Sequence, residues 1–369
     1  MKRFPGRVGI QQRVLPFYRM EFFDELAGRC DSGLSVFAGK PKVIEGIQVK
    51  GNLEKAEFTA GKNLHFFNPS SKYYLCWQSG LINWLGTWHP DALIVEANPR
   101  YLNTKTAIRW MHSRGKKVIG WGLGVPDVNV FFPDIRRKAR EKFLHKLDAV
   151  VAYSTNGAEE YRKLGCPTER IFIAANAVSR VPIGNSPARP RVFEKTPAVL
   201  FVGRIQPRKR VDILIEACSR LPDEIKPSLV VVGDGPSRGK CISLAEKIYP
   251  ETQFPGALQG EELEKYFLDA DLFVLPGTGG LAAQQAMSFG LPVIMAEGDG
   301  TQSDLISDNN GWLVKTGSLE ELIDTLTIAL SDISKLRYMG ENAFNTVKEE
   351  VNIERMADIF VEALISVMK

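Results

Sequence analysis

Arg204 and Lys209 follow the apolar run Ala198–Val202, and Gly279-Gly280-Leu281 follows the apolar run Leu272–Leu275. A guanidinium offers a planar fork of donors and an ammonium a point charge, a pairing suited to two adjacent phosphates. Glycines between a strand and a helix let the chain turn tightly and present peptide N–H groups at a helix N-terminus, which favours phosphate. These groups together would neutralise a diphosphate without a metal ion. Gly203 and the turn Gly233-Asp234-Gly235 mark two further exits from apolar runs. Two plainer readings compete. The glycines could serve only the packing of a βαβ unit, and the cations could cluster by chance on a charged surface.

In the first half the chemistry-bearing residues also sit where strands end. Arg13 and Arg19 follow the run Val8-Gly9-Ile10, and Glu96 closes Asp91–Glu96 before Asn98-Pro99-Arg100 opens a helix. In an open α/β sheet the carboxyl ends of strands carry the ligands, so Arg13, Arg19, Glu96 and Arg100 are candidates for an acceptor side. Solvated surface arginines and a helix-start acid are the alternatives. His65, His89, His112 and His145 are expected to be structural or on the surface, away from that edge.

The elements that must hold these residues alternate strand and helix in both halves, which predicts parallel sheets with right-handed crossovers. Composition shifts at Arg180–Pro190, rich in proline and small residues. The expected division is residues 1–182, residues 183–350 and a closing helix in 351–369. From about Asn352 to Met368 an apolar face recurs at helical spacing with no strand after it, so this helix must dock elsewhere. Between Val43 and Phe67 a loose alternation predicts extra strands.

The 369 residues carry a net charge of +4 that conceals a split. Residues 1–190 hold 29 Lys and Arg against 16 Asp and Glu, and residues 191–369 hold 18 against 27. A basic front half faces something anionic or is simply a charged surface. The helix Ile135–Leu147 concentrates six cations beside Phe131 and Phe132, with Ile135, Ala139 and Phe143 as an apolar stripe. That pattern fits either contact with an anionic membrane through residues 131–147 or a surface helix docked by its stripe. No run of about 18 apolar residues is present to span a bilayer. No apolar segment follows Met1–Pro5, so no secretory leader is expected. Five scattered cysteines suit a reducing cytoplasm and outline no metal site.

Gly203-Arg204, Lys209, Gly233-Asp234-Gly235-Pro236 and Gly279-Gly280-Leu281, running into Gln285-Ala286-Met287 and Gly290-Leu291-Pro292-Val293, resemble the GT-B glycosyltransferases of the retaining GT4 group. The match covers about 180 to 350; the first half matches in architecture and in Trp121-Gly122-Leu123-Gly124. The resemblance implies two Rossmann-like doubly wound domains, with the C-terminal helix crossing back to the first. It implies transfer of a sugar from a nucleotide-diphosphate sugar to a glycan or lipid-linked acceptor hydroxyl, with retention and without a metal or other cofactor. Arg204 and Lys209 would act on the diphosphate. Gly203, Gly233, Gly279, Gly280, Leu281 and Gln285 would bind the donor, with Gln285 at the ribose. A cytoplasmic protein, peripheral on the inner membrane face, is expected.

The chain departs from the family's pattern in three places. Gln285 stands where the family commonly has Glu, Gly277 where an earlier Glu is common, and Leu123 where a histidine is often found. A catalytically silent relative that binds nucleotide sugar or a partner protein is therefore the main alternative. An epimerase of the same fold lacks a convincing acid or base beside the second-half turns. A nicotinamide dehydrogenase fails because Gly233-Asp234-Gly235-Pro236-Ser237-Arg238 misses the third glycine of the dinucleotide fingerprint. No basic-aromatic motif of a nucleic-acid module occurs.

Overall fold

The protein is described from a computed structural model, which covers residues 2–47, 49, 52–69, 71, 73–124, 133–193 and 196–368. It forms two compact units: Met1–Val178 together with Ile353–Lys369, and Ser179–Asn352.

The first unit begins with β1 (Val8–Val14), α1 (Met20–Ala27), β2 (Leu34–Gly39) and β3 (Glu57–Ala60). The hairpin β4 (Lys62–Phe66) and β5 (Leu75–Ser79) precedes α2 (Leu81–Trp88), β6 (Ala92–Glu96), α3 (Thr104–His112) and β7 (Lys117–Gly122). Then come α4 (Pro133–Leu144), β8 (Ala149–Ala152), α5 (Thr155–Lys163) and β9 (Ile171–Ile173). The main sheet runs β3-β2-β1-β6-β7-β8-β9, and all its pairings are parallel. Helices cover both faces of such a sheet, so its strands read as continuous apolar runs. Ala92, Leu93, Ile94 and Val95 are fully buried. The expected strands between Val43 and Phe67 form only in part, because Val43–Glu45 is a 3-10 turn.

The second unit carries β10 (Ala198–Val202), α6 (Val211–Ser219), β11 (Ser228–Val232), α7 (Arg238–Ile248), β12 (Gln253–Gly256) and α8 (Glu261–Asp269). It continues with β13 (Leu272–Leu275), α9 (Leu281–Ser288), β14 (Val293–Ala296), α10 (Gln302–Leu305) and β15 (Gly311–Val314), then α11 (Leu319–Ser331) and α12 (Ile333–Glu349). Its parallel sheet runs β12-β11-β10-β13-β14-β15. The strand order reverses between β1 and β6 in the first unit and between β10 and β13 in the second. These two switch points are where open α/β sheets bind ligands.

The last helix, α13 (Ile353–Met368), belongs to the first unit. Met356, Phe360, Val361 and Leu364 are buried there, and the Phe360 ring lies 5.1 Å from both Phe22 and Trp121. Arg29 joins α1 to this helix through Asp358 at 2.5 Å.

Two side chains fasten the chain where it enters and leaves the second unit. Buried Gln284 accepts from the Ser179 N–H at 3.1 Å and donates to the Val351 carbonyl at 2.8 Å. Arg189 donates to the carbonyls of Phe267 (2.9 Å), Leu268 (2.8 Å), Phe289 (3.1 Å) and Ala270, all at or just beyond the last turns of α8 and α9. Cations at helix C-termini satisfy orphan carbonyls and the negative end of the helix dipole.

Candidate functional site

At the second unit's switch point three turns are stitched together through their backbones. Gly203 N–H donates to the Val232 carbonyl at 3.0 Å, Ile205 N–H to Asp234 at 2.9 Å, and Gly233 N–H to Gly256 at 2.7 Å. The turn after β13 joins them: Thr278 N–H donates to the Arg208 carbonyl at 3.0 Å, and the Arg208 guanidinium donates to Thr278 Oγ1 at 3.0 Å. Gly277 is obligatory here, because a Cβ would run into the Arg208 carbonyl and lie 2.6 Å from Lys209 Cα.

Lys209 reaches across to Gly279. A Cβ on Gly279 would collide with the Lys209 Nζ, and the φ of +141° at Gly279 is open only to glycine. The ammonium therefore rests on the turn that starts α9. Burial lowers its pKa to about 8, Arg208 adds to the shift and Asp299 opposes it. Arg204 leaves β10 in the same loop as Lys209 and is partly buried. Gly279, Gly280 and Leu281 are part-exposed, as is Gln285. The structure thus brings Lys209, Gly279, Gly280 and Leu281 together, with Gly203 and Gly233 in the adjoining turns.

Gln302, not singled out from sequence, belongs to this cluster. It is 2% exposed; its Nε2 donates to the Gly279 carbonyl at 2.9 Å and to Asp299 Oδ1 at 3.1 Å. Its Oε1 is buried without a hydrogen-bond partner among the described residues. Asp299 also accepts from the Thr301 N–H (3.2 Å) and hydroxyl (2.6 Å). No local signal marks Gln302 in the sequence, because its burial and its Gly279 partner arise only in the fold.

At the first unit's switch point, Arg13 and Glu96 meet. The Arg13 peptide N–H donates to Glu96 Oε1 at 2.5 Å, while its guanidinium pairs with Glu45 at 2.7 and 3.0 Å. Burial raises the Glu96 pKa above the usual carboxylate range, although the Arg13 contacts pull the other way. For Glu45 burial also works upward, but Arg13 and the Lys42 peptide N–H together hold the carboxyl below its ordinary value. His65 departs from expectation: β4 turns it inward, with Nδ1 2.8 Å from the Tyr74 hydroxyl, and burial followed by the Arg13 charge lowers its pKa. The other histidines fit the structural reading. His112 pairs with Asp148 at 2.9 Å, His145 lies 2.7 Å from the Glu141 carbonyl, and His89 ends α2.

Arg19 reaches this group through its charge, which acts on Glu96. It is 5% exposed, stacked 4.9 Å over Trp121 and 5.7 Å over Tyr153, and it donates to Asn176. Its charge is used inside the core beneath α13. Arg100 is partly buried after β6, and Arg140 has a lowered pKa through burial with Arg100 and Arg136 as like charges beside it.

The expected stripe on α4 does not dock as a whole. Phe143 is buried, yet Ile135 is 65% exposed and Ala139 is exposed. The burying face instead runs through Phe143, Leu144 and Leu147, because the apolar residues nearest β8 decide which side is covered. Phe131 and Phe132 lie outside the described residues. Leu123 is part-buried, with the following Gly124 N–H donating to the Tyr161 hydroxyl at 3.1 Å.

Residues 183–346 match the family described as Glycosyl transferases group 1. The match lies within the second unit. Similar proteins include the sulfoquinovosyl transferase SQD2 of Arabidopsis thaliana, 32% identical over 155 residues, covering 40% of this chain and 29% of that one. A GDP-mannose-dependent alpha-mannosyltransferase of Mycobacterium tuberculosis is 30% identical over 241 residues, covering 57% of this chain and 61% of that one. The matched stretches thus span less than two thirds of these relatives. Among solved structures, Anabaena Alr3699/HepE in complex with UDP superposes with a TM-score of 0.73 at 16% identity, over 99% of this chain and 100% of that one. The lipopolysaccharide outer core galactosyltransferase WaaB in its apo form gives 0.69 at 19% identity, over 98% and 99%. The chain accordingly has the GT-B fold, as its motifs led one to expect.

Proposed function

We propose that the chain is a retaining glycosyltransferase that moves a sugar from a nucleotide-diphosphate sugar to an acceptor hydroxyl, in the assembly of a cell-surface polysaccharide or glycolipid. The observation that carries this reading is the half-buried Lys209 ammonium lodged against Gly279 at the start of α9. In the reaction the bond between the anomeric carbon and the diphosphate oxygen breaks, and its electron pair leaves with the diphosphate. The acceptor oxygen bonds to that carbon and gives up its proton. Lys209, Arg204 and the amides of Gly279, Gly280 and Leu281 stabilise the charge growing on the leaving group, a preorganised electrostatic effect. Gln285 serves the ribose, and Gly233, where a Cβ would strike the Gly203 carbonyl, lets these two turns close on each other beside the donor.

Two cations and a helix end replace a metal on this reading, so a chelator is expected to leave turnover unchanged. The acceptor, a glycan or lipid-linked glycan, is taken by the first unit near Arg13, Glu96 and Arg100. The relatives, a GDP-mannose-dependent enzyme among them, support a nucleotide sugar as donor. Among the described residues no helix is long and apolar enough to cross a membrane, which is compatible with a peripheral enzyme at the cytoplasmic face.

A thermal-shift screen with UDP, GDP, ADP and their sugars tests the donor site, since stabilisation follows occupancy. One base is expected to raise the melting temperature; silence with all three sinks the proposal. A second reading, a silent relative, draws on Gly277: the space an acidic side chain would need is already filled by Arg208 and Lys209. Donor binding without nucleotide release in a single-turnover assay, across acceptors, would favour it.

A further inference from the structure

The β4–β5 hairpin exposes an unusually apolar outward face for a protein surrounded by water. Antiparallel sheets normally put apolar residues inward and polar residues outward. Here the inward face holds Asn63, His65 and Gln78 beside buried Cys76, with Gln78 donating to the Gln12 carbonyl at 2.9 Å and Asn63 to that of Lys40 at 3.1 Å. The outward face pairs Leu64 with Trp77, 44% and 43% exposed, and Phe66 with Leu75. Phe67, 64% exposed, follows just beyond the strand end, where the Lys42 ammonium donates to its carbonyl at 3.0 Å. The turn that follows Lys42 exposes Val43 and Ile44.

Behind the hairpin, in the same unit, lies a cavity of about 760 Å³ lined by Leu15, Met20, Leu53 and Ala56 and reaching the surface at Val49 and Phe58. Its size suits a small ligand or part of one, and its walls are chiefly apolar. Lys40 and Lys62, both exposed, also border it. Glu45, the acid on the Lys42 turn, pairs with Arg13 and accepts from the Lys42 peptide N–H at 2.8 Å.

We propose that the outward face of β4–β5 and the 40–46 turn dock on an anionic phospholipid bilayer, with the cavity receiving a hydrocarbon chain. Aromatic residues sit well at the headgroup boundary, and lysines beside them favour anionic over neutral lipid. The surface thus differs from the basic helix α4 expected from sequence. It stands independently of the sugar-transfer reading, because lipid binding is read without nucleotide.

Flotation of the full chain with phosphatidylcholine vesicles, with and without phosphatidylglycerol, tests it. Binding is expected only to the anionic vesicles, and Lys40→Glu with Lys42→Glu and Lys62→Glu is expected to weaken it at least about tenfold. Vesicles with brominated chains should quench the tryptophan fluorescence of the unaltered protein, and Trp77→Phe should reduce that quenching without disturbing the fold. For the cavity, Ala56→Phe is expected to leave flotation intact while lowering recovery of co-purified lipid. Equal, negligible binding to both vesicles overturns the proposal. So does loss of binding on reversing Arg137 and Lys138 of α4 while the hairpin variants bind normally. A dimer in solution that Leu64→Ser with Phe66→Ser dissociates, without vesicle binding, would assign the face to a second copy instead.

Discussion

Lys209 sits where its proton is held loosely, and that gives the donor site a pH signature. Burial, with Arg208 beside it, puts the ammonium near a pKa of about 8, so the free protein loses this charge as pH rises through that value. Affinity for a nucleoside diphosphate is expected to fall over the same range, measurable by calorimetric titration at pH values on either side. Lys209→Ala removes a charged partner and should weaken the diphosphate by about 1.5–3 kcal/mol at neutral pH. Gln285→Glu is expected to tighten donor binding if that position faces the ribose. The glycines separate in the same assay. Gly277→Ala collides with the Arg208 carbonyl and should displace the Arg208–Lys209 turn, whereas a Cβ on Gly280 comes no nearer than 3.7 Å to Thr301 Oγ1 and should be tolerated. These residue types were legible in the sequence because strand exits announce themselves. Gln302 was not, since its partner is a carbonyl many residues earlier.

Among the elements, two joints decide how the helices are held. Arg189, which reads in the sequence as part of a linker, gathers the carbonyls that end α8 and α9. Burial and the nearby Arg337 charge lower its pKa to about 10, a sign of how far it is drawn from water. Arg189→Ala leaves those carbonyls unpaired and is expected to cost about 2 kcal/mol, seen as a lower urea midpoint. In the first unit, Phe360 stands between Phe22 and Trp121. Phe360→Ala should cost about 3–5 kcal/mol and raise amide exchange along α13. Its apolar spacing marked this helix from the sequence, but the groove that receives it did not show. The hairpin was harder still, because alternation fixes which residues share a face and not which face looks inward.

Across the whole molecule, charge follows the two units. The first holds 29 Lys and Arg against 19 Asp and Glu, and the second 18 against 24. Two ligands of different kinds are therefore expected to leave separate footprints in hydrogen exchange. A nucleoside diphosphate should protect 203–210 and 276–281, and anionic vesicles should protect 40–46 and 62–79. Overlapping footprints would contradict this division. The sequence by itself determined the alternation of strands and helices, the glycine turns, the cations beside them and the charge split, all of which are local in the chain. Only the tertiary structure decided that Arg19 is buried under aromatic rings, that His65 faces Tyr74, and that the hairpin turns its apolar side to water. Each of those outcomes depends on which distant segment supplies the opposing surface, and spacing along a single chain does not carry that information.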